Sequence, residues 1–485
     1  MMAERVLLLR STLIYAPAIL LTRLSALLLL AIATRLVDQT EYGLLTLVVT
    51  IGEMTDVAVT NWLRIALLRL GGKGEVSRGS LLLAGRVLVL STIVALVASA
   101  AASTLVAPDR WLDFALAVGA YLVAGAVGRF ALTVLQMQQR HSTYSMLEFL
   151  RAGLQIVLPV VAILMVPGTF LSISLGSSLG VLIAGLVGGA LAWGQVVVGP
   201  ARFTQREFFA FGVPLVVMAL VGFGLNNAER LFLNGYYNAG AVAIFAAAYA
   251  LARQPIDMVA NAINMGAFPE VVGKFDAEGP AAATALVSRL MALMLRLCLP
   301  VAALLVALGP YITAVVLPPD YHGHVDQLFG IIAVSVLCAN LTSFVYGAVV
   351  HAHKKPWLLV LANGAGSIGT IGLSVLLIPS MAETGAALAL AGGTLASLAA
   401  CIIISERLTP VPVPWRDIAV SLGIAAATGV AAALAGGGLR EAPALVGLIA
   451  GGAAGGAAFL ALNALVHPNE TRALTMRLRN RLRSA

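Results

Sequence analysis

Nine arginines lie within, or close to the ends of, stretches that are otherwise apolar: Arg23, Arg64, Arg86, Arg129, Arg151, Arg230, Arg253, Arg289 and Arg296. Only five acids share those stretches, namely Glu53, Asp56, Glu148, Glu229 and Asp257. A charge at the centre of a membrane helix costs roughly 2.5–3.5 kcal/mol on insertion scales, so such residues must face a cavity or each other. The surplus of arginine over acid points to a cavity that attracts an anion. The planar guanidinium fork matches paired oxygens of a phosphate.

Two polar stripes organise these charges. Glu53, Asp56, Thr60 and Arg64 recur at spacings of three and four, and so do Arg253, Asp257, Asn261 and Asn264. Each set falls on one face of a helix. Arg23 and Arg129 have no acid within one turn, which marks them as anion contacts; Arg64 and Arg253 complete the candidate substrate-binding set. Arg253 and Asp257 at i,i+4 can instead neutralise each other. Glu148 with Arg151 and Glu229 with Arg230 read as pairs near helix ends. Among the acids, Asp56 has Glu53 one turn away. A like charge there favours uptake of a proton or cation, so Glu53 and Asp56 form a candidate coupling pair for H⁺ or Na⁺. Asp257 and Asn261 are candidates for the gate.

The elements that must carry these residues are set by composition. Of 485 residues 60% are hydrophobic and only 11% charged, with a mean hydropathy of +0.97. Soluble domains carry roughly 25% charge, so a soluble enzyme is excluded. Few aromatics and no run of short alternating strands argue against an outer-membrane barrel. The expected class is an all-α polytopic membrane protein. Fourteen apolar runs between residues 11 and 466 are long enough to span, including 11–34, 42–66, 357–378 and 384–404. The longest connections are 267–282 and 309–325. The net charge of +8 reflects topology rather than nucleic acid. Alternate connections, termini included, hold 18 Lys and Arg against 3 in the other set, Arg35, Arg110 and Arg440. The positive-inside rule then puts both termini in the cytoplasm.

An internal repeat is visible. An offset of 201 lays Asp56 on Asp257 and Thr60 on Asn261, and an offset near 214 aligns the polar turns Gln138–His141 and His351–Lys355. The expected organisation is an N-terminal lobe of six helices (1–200), a C-terminal lobe of six (201–410), two further helices (411–466) and a basic tail (467–485). Repeats around a central cavity are the usual plan of secondary transporters.

Other patterns carry no chemistry. Gly364-Ala-Gly366-Ser-Ile-Gly369 matches the dinucleotide fingerprint by letters but lacks the strand before it and the acid after it. Close helix packing explains it, as it does the pairs Gly176 with Gly180 and Gly451 with Gly455. Asp320, His322, His324 and Asp326 read as a solvated loop rather than a metal site. Cys298, Cys338 and Cys401 lie in apolar segments and suggest neither disulfide nor cluster. No catalytic motif, cofactor or metal is expected, so the chain reads as a transporter, driven by a gradient or a partner.

Several segments carry a family resemblance: Ala33-Thr-Arg35-Leu-Val-Asp-Gln-Thr-Glu-Tyr42-Gly43; Phe211-Gly-Val-Pro214 with Asn226-Asn-Ala-Glu229-Arg230; Ala246-Ala-Ala-Tyr249-Ala with Pro255, Phe268 and Pro269; and Ile378-Pro379 with Gly385-Ala-Ala. In these the chain resembles the polysaccharide-transporter (Wzx-type) flippases of the multidrug/oligosaccharidyl-lipid/polysaccharide exporter superfamily, over roughly residues 10–410. Glu229 stands where that family more usually has Asp. The resemblance implies two six-helix lobes plus two helices in a bacterial inner membrane, opening alternately to either side. The implied substrate is a polyprenyl-diphosphate-linked oligosaccharide for O-antigen, capsule or exopolysaccharide, and the implied partners are a polysaccharide polymerase and a chain-length regulator. Two relatives of the same superfamily stay open, a lipid II flippase and a cation-coupled multidrug exporter; the exporter would need more acid than arginine in its cavity. A membrane polymerase or ligase would need a larger outer loop.

Overall fold

A computed structural model describes residues 25–72, 74–166, 168–439 and 442–468. Those residues are almost entirely helical, with one isolated β-bridge between Ser77 and Val197. In chain order the helices are α1 (Ser25–Leu36), α2 (Gln39–Asp56), α3 (Trp62–Leu70), α4 (Arg78–Val106), α5 (Trp111–Met137), α6 (His141–Met165), α7 (Phe170–Trp193) and α8 (Gln205–Tyr236). There follow α9 (Ala239–Glu278), α10 (Pro280–Ala307), α11 (Gly309–Val316), α12 (Val325–Asn340), α13 (Gly347–Ala352), α14 (Trp357–Leu408), α15 (Trp415–Gly437) and α16 (Ala444–Val466). Eleven helices among the described residues are long and apolar enough to cross a membrane, and the chain is a multi-pass membrane protein.

Helix starts follow local chemistry. Asp38 accepts from the Glu41 N–H at 2.8 Å, Ser77 caps α4 and Thr169 caps α7. Thr204 and Glu207 form a reciprocal capping box on α8. Two helix pairs are joined by π-helical turns: Val57–Asn61 links α2 to α3, and Leu341–Tyr346 links α12 to α13. The runs expected at 357–378 and 384–404 form the two arms of α14, which kinks at Ala382 with φ 47°. Of the run expected at 11–34, residues before 25 lie outside the described part.

Both long connections expected from sequence are partly helical, since 309–325 holds α11 (Gly309–Val316) behind the N-terminal turn set by Pro310. Residues 267–278 continue α9, and only Gly279, at φ +88°, separates it from α10. Pro269 and the charges after it interrupt the apolar pattern without breaking the helix, and Lys274 pairs with Glu278 at 3.8 Å. At 40 residues α9 is about 60 Å long, twice the hydrocarbon thickness.

Side chains facing outward are apolar: Val97, Leu105, Leu164 and Leu376 are 68–84% exposed. In water this would be untenable, but lipid is their solvent. Contacts between helices rely instead on small residues. A Cβ on Gly185 of α7 would stand 2.8 Å from Gly128 Cα of α5, and one on Gly176 would meet the backbone of Leu158 and Pro159 in α6. The glycines of the false dinucleotide motif do the same work, Gly366 and Gly369 packing against Gly393.

The chain divides into two compact units. The first holds the described residues up to Ala246 with Ser374–Ala386, and the second Ala247–Leu373 with the described residues from Ala387 on. In the first unit Arg110 pairs with Glu41, which also accepts the Phe170 N–H at 2.6 Å, while the Arg110 guanidinium sits 4.6 Å from the Phe170 ring centroid. That cluster ties together the starts of α2, α5 and α7.

Candidate functional site: an arginine-rich cavity and two buried aspartates

The cavity in the first unit measures about 250 Å³ and is lined by α3, α5, α6 and α7. Arg64, Arg129 and Arg151 reach it, with Glu148 the one acid among its described lining residues, beside Tyr121, Tyr144, Gln155, Ser177 and Ser178. Arg151 donates to Glu148 Oε2 at 2.6 Å and to Gln155 Oε1 at 2.7 Å. Arg64 lies 3.5 Å from Gln136 Oε1. Gly125 leaves the room that Arg129 occupies, since any side chain there would overlap its guanidinium.

Arg129 has no acid near it in sequence, but the fold supplies one. Asp56, at the end of α2, accepts from Arg129 Nη2 at 2.6 Å. Asp56 is buried and also accepts from the Thr60 hydroxyl, which bonds its backbone carbonyl at 3.1 Å as well. The π turn follows directly after Asp56. Extra-wide turns of this kind recur at functional sites. Glu53, one turn earlier, is exposed and is not among the cavity-lining residues. The two acids of the candidate coupling pair thus sit in different surroundings.

In the second unit Arg253 Nε donates to Asp257 Oδ2 at 2.8 Å, within one helix. The same guanidinium bonds the Tyr249 hydroxyl and lies 5.3 Å from that ring's centroid. The other carboxylate oxygen, Asp257 Oδ1, accepts from Asn340 Nδ2 of α12 at 3.0 Å, the residue just before the second π turn. Asn261 spends its amide on the Asp257 carbonyl at 2.7 Å. Thr60 and Asn261, matched by the sequence offset, therefore make the same backbone contact to their aspartates.

Arg23 lies outside the described residues. The Glu229–Arg230 pair does not behave as a helix-end pair: Glu229 is fully buried, neither of its oxygens meets a hydrogen-bond donor among the described residues, and Arg230 reaches Thr50 at 3.3 Å. By spacing Glu148 and Arg151 read as a local pair, yet they line the cavity together with Tyr121, Tyr144, Ser177 and Ser178, which no sequence pattern marks. Small hydroxyls on an apolar helix gave no signal. Glu148 and Arg151 could have been found, because an ion pair on a spanning helix seeks a polar surface.

The sequence matches the polysaccharide biosynthesis protein family over residues 8–272. No curated protein matches it. Among solved structures the fold is similar to the lipid II flippase MurJ in an inward closed conformation, with a TM-score of 0.73, 10% identity, and 95% of this chain and 100% of that one covered. It is also similar to an inward-facing multidrug resistance MATE family transporter of the MOP superfamily, at TM-score 0.54 and 16% identity over 82% of this chain and 94% of that one. A MOP superfamily transporter from Pyrococcus furiosus, described by the reversed polarity of its binding pocket, matches at TM-score 0.52 and 13% identity over the same shares, 82% and 94%.

Proposed function

We propose that this chain, which belongs to the polysaccharide biosynthesis protein family, is a flippase that carries a polyprenyl-diphosphate-linked oligosaccharide from the cytoplasmic to the periplasmic leaflet of a bacterial inner membrane. The observation that carries the reading is the arginine-rich lining of the cavity: Arg129 pairs with Asp56 and Arg151 with Glu148, which leaves Arg64 in excess of acid among the described residues. A diphosphate would find paired guanidinium forks there, and the tyrosine and serine hydroxyls suit sugar. In this proposal Arg64 and Arg129 hold the diphosphate, and Arg23 and Arg253 contact it elsewhere on its path. The chain crosses the membrane fourteen times as two six-helix lobes and two further helices, with both termini cytoplasmic, and works by alternating access.

An internal match supports the repeat. Gln139 and Lys354, 215 residues apart, both adopt φ 58°. The hydrogen bonds around them repeat with the same spacing: 138 to 134, 139 to 136 and 140 to 135, then 353 to 349, 354 to 351 and 355 to 350. Coupling to H⁺ or Na⁺ through Glu53 and Asp56, a gating role for Asp257 and Asn261, and delivery of product to a polymerase and chain-length regulator complete the proposal.

Translocation of a fluorescent lipid-linked oligosaccharide in proteoliposomes tests it. Arg129→Ala abolishes transport, and Arg129→Lys restores part of it, because lysine keeps the charge and loses the fork. Imposed H⁺ and Na⁺ gradients identify the coupling ion, and Glu53→Gln and Asp56→Asn are expected to uncouple it. Lipid II and an organic cation, run in the same assay, separate the two related readings. Transport of the cation alone overturns the anionic cavity as the substrate path.

A further inference from the structure

The first unit has a second cavity, larger than the arginine-rich one and opposite in character. It occupies about 780 Å³ between α4, α5 and α7, within the roughly 300–1,000 Å³ of pockets that enclose a small ligand. Its walls are hydrocarbon, with Leu82, Val89, Leu90, Ile93 and Leu186 between 46% and 60% exposed. The floor forms where Gly185 and Gly128 press α7 against α5. Gly85 and Gly189 keep the groove open. At either position a Cβ would have no neighbour within 4 Å, so packing does not require glycine there.

The groove carries a cation on its α4 wall, which runs from Leu81 to Ile93. Among its described lining residues Arg86 is the charged one, with no acid beside it. Trp193 lies at the end nearer the start of α4, where the Arg78 guanidinium sits 5.8 Å from its ring centroid. Helix α4, at 29 residues, is about 43 Å long and overhangs a hydrocarbon core of about 30 Å. Arg78 at the start of α4 and Trp193 at the end of α7 form the arginine and tryptophan pairing that anchors helices at headgroup depth. Arg86 is about 12 Å further along the axis and can snorkel back towards that layer. The loop before α4 is on the Lys- and Arg-rich side of the chain.

We propose that this groove binds one anionic phospholipid from the leaflet facing the Lys- and Arg-rich loops. One acyl chain lies along α4 from Arg86 to Ile93, and the phosphate engages the Arg86 guanidinium where it reaches back towards Trp193, with Arg78 against Trp193 holding the headgroup. Hydrocarbon alone would accept any lipid. The guanidinium on the α4 wall selects net negative charge, because a zwitterionic head brings its own cation and leaves Arg86 less well neutralised. The site is separate from the arginine-rich cavity and does not depend on what the protein transports.

Native mass spectrometry of the full chain in neutral detergent tests the site, with phosphatidylglycerol, phosphatidylethanolamine, a polyprenyl phosphate and inorganic phosphate as probes. Phosphatidylglycerol should be retained in preference to phosphatidylethanolamine. Arg86→Gln should weaken phosphatidylglycerol about fivefold, equivalent to the ~1 kcal/mol that one basic residue contributes beside anionic lipid. Gly189→Leu fills the groove and should release both phospholipids while thermal unfolding stays at the parent midpoint. Gly85→Leu does the same from the facing helix, which keeps the test open if one variant misfolds. Equal retention of the two phospholipids, or parent-like binding by Arg86→Gln, overturns the proposal. So does displacement of phosphatidylglycerol by polyprenyl phosphate, which would make the groove a seat for an isoprenoid tail, and so does equal binding of inorganic phosphate, which would make it an ion site.

Discussion

Asp56 and Asp257 occupy matched places 201 residues apart, and the two units treat them differently. In the first, the acid on α2 is met by an arginine from another helix, Arg129 of α5, and the π turn that follows contributes Thr60. In the second, the arginine comes from the same helix one turn away, and the partner helix contributes the amide of Asn340. Each arrangement has a π turn beside it, after Asp56 in one unit and after Asn340 in the other. A buried aspartate thus needs a cation and a neutral donor, but the fold can draw the cation from either direction. The consequence is mechanical. Breaking the first pair unfastens two helices, whereas breaking the second leaves the helices joined through Asn340.

The largest expected effect comes from opening the first pair on one side. Asp56→Ala leaves Arg129 without its carboxylate. With 31% of the Arg129 side chain exposed, the loss falls near the lower end of the roughly 3–5 kcal/mol typical of a broken buried pair. Thermal unfolding in detergent measures it. Asp56→Ala combined with Arg129→Ala should recover part of that loss; an additive double variant would show that the two residues are not coupled.

The second unit should reverse the ranking of cation and neutral donor. Arg253, with 43% of its side chain exposed, is expected to matter less to stability than Arg129, at about 1 kcal/mol or below, in keeping with surface-like pairs. Asn340→Ala removes the cross-helix bond to a buried carboxylate and should cost about 1.5–3 kcal/mol, the range for hydrogen bonds to charged groups. If Arg253→Ala proves as destabilising as Asp56→Ala, the contrast between the units fails.

The smallest effect tests the repeat through its turns. Gln139 and Lys354 hold the same left-handed conformation, which glycine adopts without a Cβ penalty. Gln139→Gly and Lys354→Gly should each stabilise by about 0.5–1 kcal/mol or less, and by similar amounts. Opposite signs in the two unfolding midpoints would separate turns that the backbone makes alike.

Much of this architecture was legible in the sequence because lipid imposes a one-dimensional rule. A spanning helix must satisfy its own backbone and present apolar side chains for about twenty residues. The helices, the break between the arms of α14 and the packing glycines follow from that rule. The polar stripes were legible too, since i,i+4 spacing is local. The end of α9 escapes that rule, because leaving the apolar layer ends the hydropathy signal but not the helix. The pairing of Arg129 with Asp56, 73 residues apart, depends on which faces of α2 and α5 meet.

What the sequence determined by itself was composition, span and charge: an apolar helical chain with more arginine than acid in its membrane-embedded stretches. The tertiary structure alone decided which charges cancel and which line a cavity. Arg129 finds Asp56, and Asp257 finds Asn340, only when helices pack, and packing alone brings Ser177 and Ser178 of α7 to the cavity. The physical reason is range. Burial in lipid acts on each residue where it stands, whereas an ion pair or hydrogen bond needs a second group within about 3 Å, and only the packing of distant helices brings the two together.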